Sequence, residues 1–250
     1  MSVYLFELKP KPMKSGILII ILLSITFFTT AQCVEGDCVN GYGREVFDDH
    51  TYSGFYKDGL FDGWGLVKYS NGDVFKGAFA EGKVHGVGIL IFGSTDRSVY
   101  AEFEDGELNG YGFILEGGDV AEANKYKDGK VVKRMELDYV NNVTRGLCRG
   151  NCTSGFGLEA YEPGNYYFGF FTNNAYRGVG VRVFGNGGVY KGGLHKSKRS
   201  GFGEYTYPSG NVYIGMWKGG ERHGPGAFIY TDGSEKIGYF KNGEYIGMEE

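Results

Sequence analysis

The chain has 250 residues, 26 Lys and Arg against 30 Asp and Glu, and a formal charge of -4, with 42% hydrophobic and 16% aromatic content. That composition excludes disorder from low hydrophobicity and leaves enough apolar material for a core. Glycine numbers 45, far above an ordinary usage of about 7%, yet with only 5 prolines and no G-X-Y triplet collagen is excluded.

In chain order, Lys9, Lys11 and Lys14 precede the apolar run Ile17 to Phe28, which Thr29-Thr30-Ala31-Gln32 follows. A positive region, an apolar run of about 7–15 residues and small residues at its end mark a secretory signal peptide; a spanning helix wants about 20 apolar residues. Residues 1–32 are therefore expected to be a signal peptide cleaved near Ala31 or Gln32, with Met13 as a second candidate start and an uncleaved membrane anchor as the alternative. Gln32 before Cys33 fits a lipoprotein signal poorly. The expected location is outside the cytoplasm: periplasmic, cell-surface or secreted.

All four cysteines lie beyond that segment, in two pairs that open similar stretches, CVEGDCVNGYG from Cys33 and CRGNCTSGFG from Cys148. An even count in an exported chain supports disulfides, and Cys33 with Cys38 and Cys148 with Cys152 is the simplest of three connectivities. The rival is a four-thiolate metal site. It is set aside because the pairs open separate blocks and an oxidising compartment works against free thiols, so no metal or cofactor is expected. Each pair stands where the first strand and turn of a hairpin should be, and is expected to blunt a terminal sheet edge open to another chain.

After each cysteine pair the sequence repeats itself. YKGGLHKSKRSGFGEYTYPSG from Tyr190 returns 23 residues later as YIGMWKGGERHGPGAFIYTDG from Tyr213, and the same phase falls on stretches from Tyr52, Phe75 and Tyr167. A fixed short period means a repeat architecture. Taking Tyr56, Phe79, Phe103, Tyr126, Phe171, Leu194, Trp217 and Phe240 as unit markers, a glycine stands two positions before each, except at Ala101 and Asn124. Paired glycines stand seven and nine positions after most of them, as in Gly63 and Gly65 or Gly201 and Gly203. Period-two alternation puts Tyr190, Gly192 and Leu194, or Tyr213, Gly215 and Trp217, on one strand face. Asn71-Gly72, Asn186-Gly187, Ser209-Gly210 and Asp232-Gly233 return the chain to the next unit. One unit is one β-hairpin. Glycine in a strand costs about 0.5–1 kcal/mol, a loss offset if bare backbone lets a neighbouring aromatic ring lie flat and bury, worth about 1.5–3 kcal/mol.

The phased pattern Y-x-G-x-[WFY]-x-x-G-x-x-x-G-x-G resembles the MORN (membrane occupation and recognition nexus) repeat, and the resemblance covers residues 34 to 250. The expected fold is all-β: an elongated antiparallel meander of stacked ~23-residue β-hairpins, preceded by the signal peptide. It divides into a first block over 33–135, in whose last unit Lys133 and Met135 replace the paired glycines, a connector over 136–147, and a second block over 148–250. Whether the blocks share one sheet or hinge against each other is open at this level. Asn142-Val143-Thr144 and Asn151-Cys152-Thr153 match the glycosylation triplet.

Little reads as chemistry. His85 and His223 share a repeat phase where other units carry Asp62, Asn109, Arg177 and Ser200, so they read as exposed turn residues. Each G-x-G opens a strand with no helix after it, which fails the dinucleotide context, and Asp48-Asp49 reads as solvated loop charge. A non-enzyme is expected, with no catalytic residues and neither nucleic acid nor a small-molecule substrate as partner. Charge divides unevenly: residues 33–147 carry 12 Lys and Arg against 20 Asp and Glu, a net of -8, and residues 148–250 carry 11 against 9, a net of +2. Lys196, Lys198 and Arg199 cluster in one turn as a candidate anionic-surface contact. Two functions follow: an exported scaffold binding a protein partner or itself, as the resemblance implies, or a module binding an anionic membrane surface or ligand through that basic turn.

Overall fold

The computed structural model describes residues 31–117, 119–135 and 148–248. Residues 1–30 of the expected 1–32 signal segment, the 136–147 connector and its Asn142 triplet lie outside these residues, while Gln32 opens the first strand. Twenty β-strands and no helix are present among the described residues. The first block supplies β1 (Gln32–Gly36), β2 (Gly41–Val46), β3 (His50–Lys57), β4 (Leu60–Tyr69), β5 (Val74–Ala80), β6 (Lys83–Phe92), β7 (Arg97–Glu104), β8 (Glu107–Glu116), β9 (Asp119–Lys127) and β10 (Lys130–Arg134). The second supplies β11 (Cys148–Gly150), β12 (Gly155–Glu162), β13 (Asn165–Thr172), β14 (Ala175–Val183), β15 (Val189–His195), β16 (Lys198–Thr206), β17 (Val212–Lys218), β18 (Glu221–Ile229), β19 (Glu235–Lys241) and β20 (Glu244–Gly247). Each block is one ten-stranded antiparallel sheet in sequence order, so the hairpin meander is what the phased glycines require.

Register explains the glycines. Gly43 pairs with Gly54, Gly54 with Gly65, Gly65 with Gly77 and Gly77 with Gly88; in the second sheet an unbroken row runs from Gly157 through Gly169, Gly180, Gly192, Gly203, Gly215 and Gly226 to Gly238. Onto this bare ladder lie Tyr52, Tyr167, Tyr190 and Tyr213, all at 0% exposure. A Cβ on Gly203 would sit 2.6 Å from Cε2 of Tyr190, and one on Gly180 2.5 Å from Cε2 of Tyr167. Each hydroxyl tip is also satisfied: Tyr52 donates to the Phe55 carbonyl at 2.9 Å, Tyr167 to Phe170 at 3.0 Å, Tyr190 to Gly193 at 2.7 Å and Tyr213 to Met216 at 3.0 Å. Burial of these rings drives the hydroxyl pKa values upward. The unit at Phe103 trades volume instead. Val99 replaces the ring, and Ala101, itself 0% exposed, replaces the glycine.

Rings of successive units cover one another on this face. Tyr52 stacks on Phe61 at 3.7 Å and meets Phe79 edge-on at 5.4 Å, while Tyr167 stacks on Tyr176 at 3.8 Å. Hairpin tips add a second link. Asp58-Gly59, Asn173-Asn174 and Lys196-Ser197 all have positive φ at both residues, the geometry of the two-residue turn that matches strand twist. The second turn N–H of each unit reaches back to the preceding hairpin: Gly59 to the Val39 carbonyl at 2.9 Å, Gly82 to Phe61 at 3.0 Å, Ser197 to Tyr176 at 3.1 Å, Gly220 to Arg199 at 3.0 Å.

The opposite face of each sheet is apolar too, and there the two sheets pack together. Phe55, Trp64, Val87, Ile89 and Phe113 of the first share a core with Phe156, Phe170, Val179, Phe202 and Ile214 of the second. The chain folds back on itself: β4 lies against β17 and β18, β5 against β16, β6 against β15 and β16, β8 against β14. Phe55 meets Tyr239 at 5.3 Å near one end, and Phe113 meets Phe156 at 5.6 Å near the other. The question the sequence left open resolves as two sheets face to face.

The glycine seat makes a sharp prediction. Gly203→Ala should lower stability by about 1–3 kcal/mol through overpacking, and Tyr190→Phe by about 1–3 kcal/mol because the buried Gly193 carbonyl loses its donor. Thermal or denaturant melting of the disulfide-bonded chain checks both, and wild-type melting in either variant contradicts the seat.

Candidate functional site

With one face of each sheet filled by its own rings and the other by its partner sheet, the surface open to other molecules is the turn rims, the seams between the sheets and the outermost strands. The basic turn foreseen from sequence lies on a hairpin rim, and the structure divides its members. Lys196 and Lys198 are exposed. Arg199 is half-buried, with its guanidinium 4.1 Å over the Trp217 ring and 5.3 Å over Tyr205. Its Nη2 donates to the Gly220 carbonyl at 2.7 Å, while the Gly220 N–H donates back to the Arg199 carbonyl. Arg222, one repeat on, does the same: it lies over Phe240 and Tyr213 at 5.4 and 5.7 Å, and its Nη2 donates to the Gly243 carbonyl. Burial lowers the Arg199 pKa, though the neighbouring tyrosines favour the charge. Phe61 and Tyr176 hold the same repeat phase in other units, so Arg199 clamps the next hairpin where those units use a ring.

The cysteines are paired locally, Cys33 with Cys38 and Cys148 with Cys152, at Cα separations of 6.1 and 6.0 Å. Cys38 Sγ lies 2.8 Å from where a Gly43 Cβ would be, and Cys152 Sγ 3.0 Å from that of Gly157. Each bridge therefore occupies the terminal seat of a glycine ladder, the place a ring fills in inner units. Among the described residues no cluster of three or more His, Cys, Asp or Glu could hold a metal. His85 approaches Asp105 at 3.8 Å on the rim of the first sheet, and His223 lies on β18 of the second. Asn151 accepts from the Thr153 and Ser154 amides at 3.1 and 2.8 Å, an Asx turn inside the disulfide loop.

Two grooves run along the seam. One, of about 550 Å³, is walled by Tyr56, Phe79, Met216, Pro225 and Tyr239, with Asp62 and His223 at its polar margin. The other, of about 660 Å³, lies between Tyr42, Trp64 and Leu66 and Ile214, Ile229 and Ile237, and is crossed by Lys76 and Glu204 at 2.6 Å. Glu102 is a third charged group within the seam. It accepts the Tyr111 amide at 2.6 Å; burial raises its pKa, while that hydrogen bond and the charges of Arg177 and Lys125 work the other way. Sequence reasoning missed these groups because it followed the marker face; the signal was apolar residues on the alternate phase, Phe55, Ala78 and Phe170, Trp64, Val87 and Val179, which make both faces apolar.

This is a repeat protein of stacked hairpins. The family model for the MORN repeat matches residues 52–74, 75–97, 167–189, 190–212 and 213–235, and the chain is a MORN-repeat protein. It is similar to Alsin of Mus musculus and Alsin of Homo sapiens, each 28% identical over 148 residues that make up 50% of this chain and 9% of the relative. Among solved structures, the SAS-4 (dCPAP) TCP domain of Drosophila Melanogaster, in complex with a proline-rich motif of Ana2 (dSTIL), aligns at a TM-score of 0.26 and 11% identity, over 94% of this chain and 99% of that one. That likeness carries no weight here.

Two measurements test the assigned roles. Arg199→Ala or Arg222→Ala should destabilise by about 2 kcal/mol through loss of the cation–π contact and the turn bond, while Lys196→Ala and Lys198→Ala stay within about 0.5 kcal/mol of wild type. For Glu102 the sign follows from its raised pKa: the native state binds that proton more tightly than the unfolded chain, so the residue adds stability as pH falls and its ionised form costs stability at neutral pH. Glu102→Gln should therefore melt at or above wild type at pH 7, with the advantage vanishing below the ordinary carboxyl value of 4.5.

Proposed function

We propose that the chain is an exported, non-catalytic MORN-repeat scaffold that binds a protein partner or another copy of itself. The observation that carries this reading is where the sandwich leaves apolar surface. Among the described residues, β1, β10 and β20 expose large hydrophobics, with Val34 at 47%, Val132 at 56% and Ile246 at 47% exposure, and the seam offers a Tyr-, Met- and Pro-lined groove suited to a protein segment. The two disulfides fit an oxidising, exported setting. The shared segment with Alsin supports a repeat module and nothing of that larger protein's activity, since the chain spans 9% of it.

The competing anionic-surface reading keeps Lys196 and Lys198 as exposed candidates, but Arg199 is committed to Trp217 and Gly220. Crosslinking and size exclusion of the purified disulfide-bonded chain, with affinity capture from its native extract, should yield an oligomer or a specific partner. Monomer alone with no partner overturns the reading. Sedimentation with anionic but not neutral vesicles, lost in Lys196→Ala/Lys198→Ala, would replace it with the membrane module.

A further inference from the structure

We infer that the second sheet binds an extended acidic glycan along the rim where its chain returns from one hairpin to the next. This goes beyond the scaffold reading and does not depend on it. The rim carries a line of rings with one guanidinium in each of three successive hairpins. Tyr161, Phe184, Tyr207 and Tyr230 recur every 23 residues, at the ends of β12, β14, β16 and β18. Tyr161 and Tyr230 are each 37% exposed, and Phe184 and Tyr207 are half-buried. Phe184 meets Tyr205 at 5.7 Å, Tyr205 meets Tyr207 at 4.5 Å, Tyr207 meets Phe228 at 5.4 Å and Phe228 meets Tyr230 at 4.9 Å, which closes the line. Beside it Arg182 lies 4.7 Å over Phe184, Arg199 5.3 Å over Tyr205 and Arg222 5.6 Å over Phe228. Among the described residues no carboxylate forms an ion pair with any of the three. Glu159, two strands from Arg182 in register, is taken by the hydroxyls of Tyr161 and Tyr176 at 2.6 and 3.0 Å.

The first sheet is a control within the chain. It repeats the same phases, yet Val67, Leu90 and Ile114 stand where the second sheet has Arg182, and Phe61, Val84 and Leu108 where it has Arg199 and Arg222. All six are buried, so hairpin stacking needs a cation at neither phase. Arg199 and Arg222 each give one Nη2 to a turn carbonyl, which uses one of the five N–H donors of a guanidinium and holds its plane in place. The pitch then selects the ligand. One hairpin advances two strands, about 10 Å at about 4.8 Å per strand. A β-1,4-linked glycan turns each sugar over relative to the last, so it offers the same ring face and the same carboxylate direction once every two sugars, a period close to one hairpin. The C–H groups of a pyranose face suit the negative face of an aromatic ring, and a uronate carboxylate suits a guanidinium as a bidentate acceptor. Single-stranded nucleic acid shares the charge, but the two disulfides fit an oxidising setting where glycans are the polymer at hand.

Isothermal titration calorimetry of the full, disulfide-bonded chain with β-1,4-linked oligomannuronate tests this. Affinity should rise with oligomer length up to about eight sugars, two for each hairpin that carries the line, and fall at least tenfold at about 0.5 M salt, where charges are screened. Arg182→Gln and Tyr230→Ser should each weaken binding at least fivefold, and Arg182→Lys, which keeps the charge and loses the planar fork, should fall between Arg182→Gln and wild type. Lys83→Ala/Lys127→Ala removes two exposed cations of the first sheet and should leave affinity within twofold of wild type. Circular dichroism of each variant separates lost contact from lost fold. A wild-type chain that binds no oligomannuronate, binds neutral β-1,4-linked oligomannose equally well, or loses as much affinity in Lys83→Ala/Lys127→Ala as in Arg182→Gln overturns the glycan site. Tighter binding of oligothymidylate than of oligomannuronate overturns it in favour of nucleic acid. None of these outcomes touches the scaffold reading, which is decided by crosslinking and partner capture.

Discussion

The structure depends on an aromatic ring lying flat across two glycines that face each other on adjacent strands. Neither half of this contact makes sense alone. A glycine in a strand is a net loss of about 0.5–1 kcal/mol, and a tyrosine standing on an isolated hairpin would stay half in water. Together, a ring buried at 0% exposure returns more than its glycines cost, and its hydroxyl reaches a carbonyl on its own strand three residues on. The glycine row continues from unit to unit, so each hairpin supplies a seat to its neighbour, and stability accrues along the array as in other repeat proteins. The volume trade at Val99 and Ala101 is the same contact with the space moved from one side of it to the other.

A second layer of constraint comes from the reverse face. Phe55, Trp64, Phe113, Phe170 and Phe202 need cover that no single sheet can give, and the chain provides it by turning back on itself. This fixes which strands become neighbours across the seam, sets Lys76 opposite Glu204, and leaves two grooves where the layers part. Among the described residues, what neither layer consumes is the hairpin rims, the groove walls and the outermost strands.

The hairpin, its turns, its period and the glycine trough were legible in the sequence because each is a local event repeated eight times in one phase, and repetition separates signal from chance. The local cysteine pairing was legible for the same reason, though the bridges turned out to fill ladder seats as well as closing a loop. The stacking of the two sheets was not read, since it depends on the alternate phase, where Glu102, Lys125 and Gly193 interrupt an otherwise apolar series. Arg199 shows the limit most clearly. Beside Lys196 and Lys198 in sequence it reads as one more rim cation, and only the position of Trp217 and the Gly220 turn shows it to be a clamp.

The fold-back arrangement also governs how such a chain can change length. In a solenoid of a single sheet, one more unit merely lengthens the rod, and duplications can accumulate singly. Here the layers are yoked: a hairpin gained by one block alone would overhang its partner, with the reverse-face side chains of that hairpin bare to water. Growth or shrinkage in matched steps on both sides of the connector keeps the layers even, as the ten strands of each layer are among the described residues.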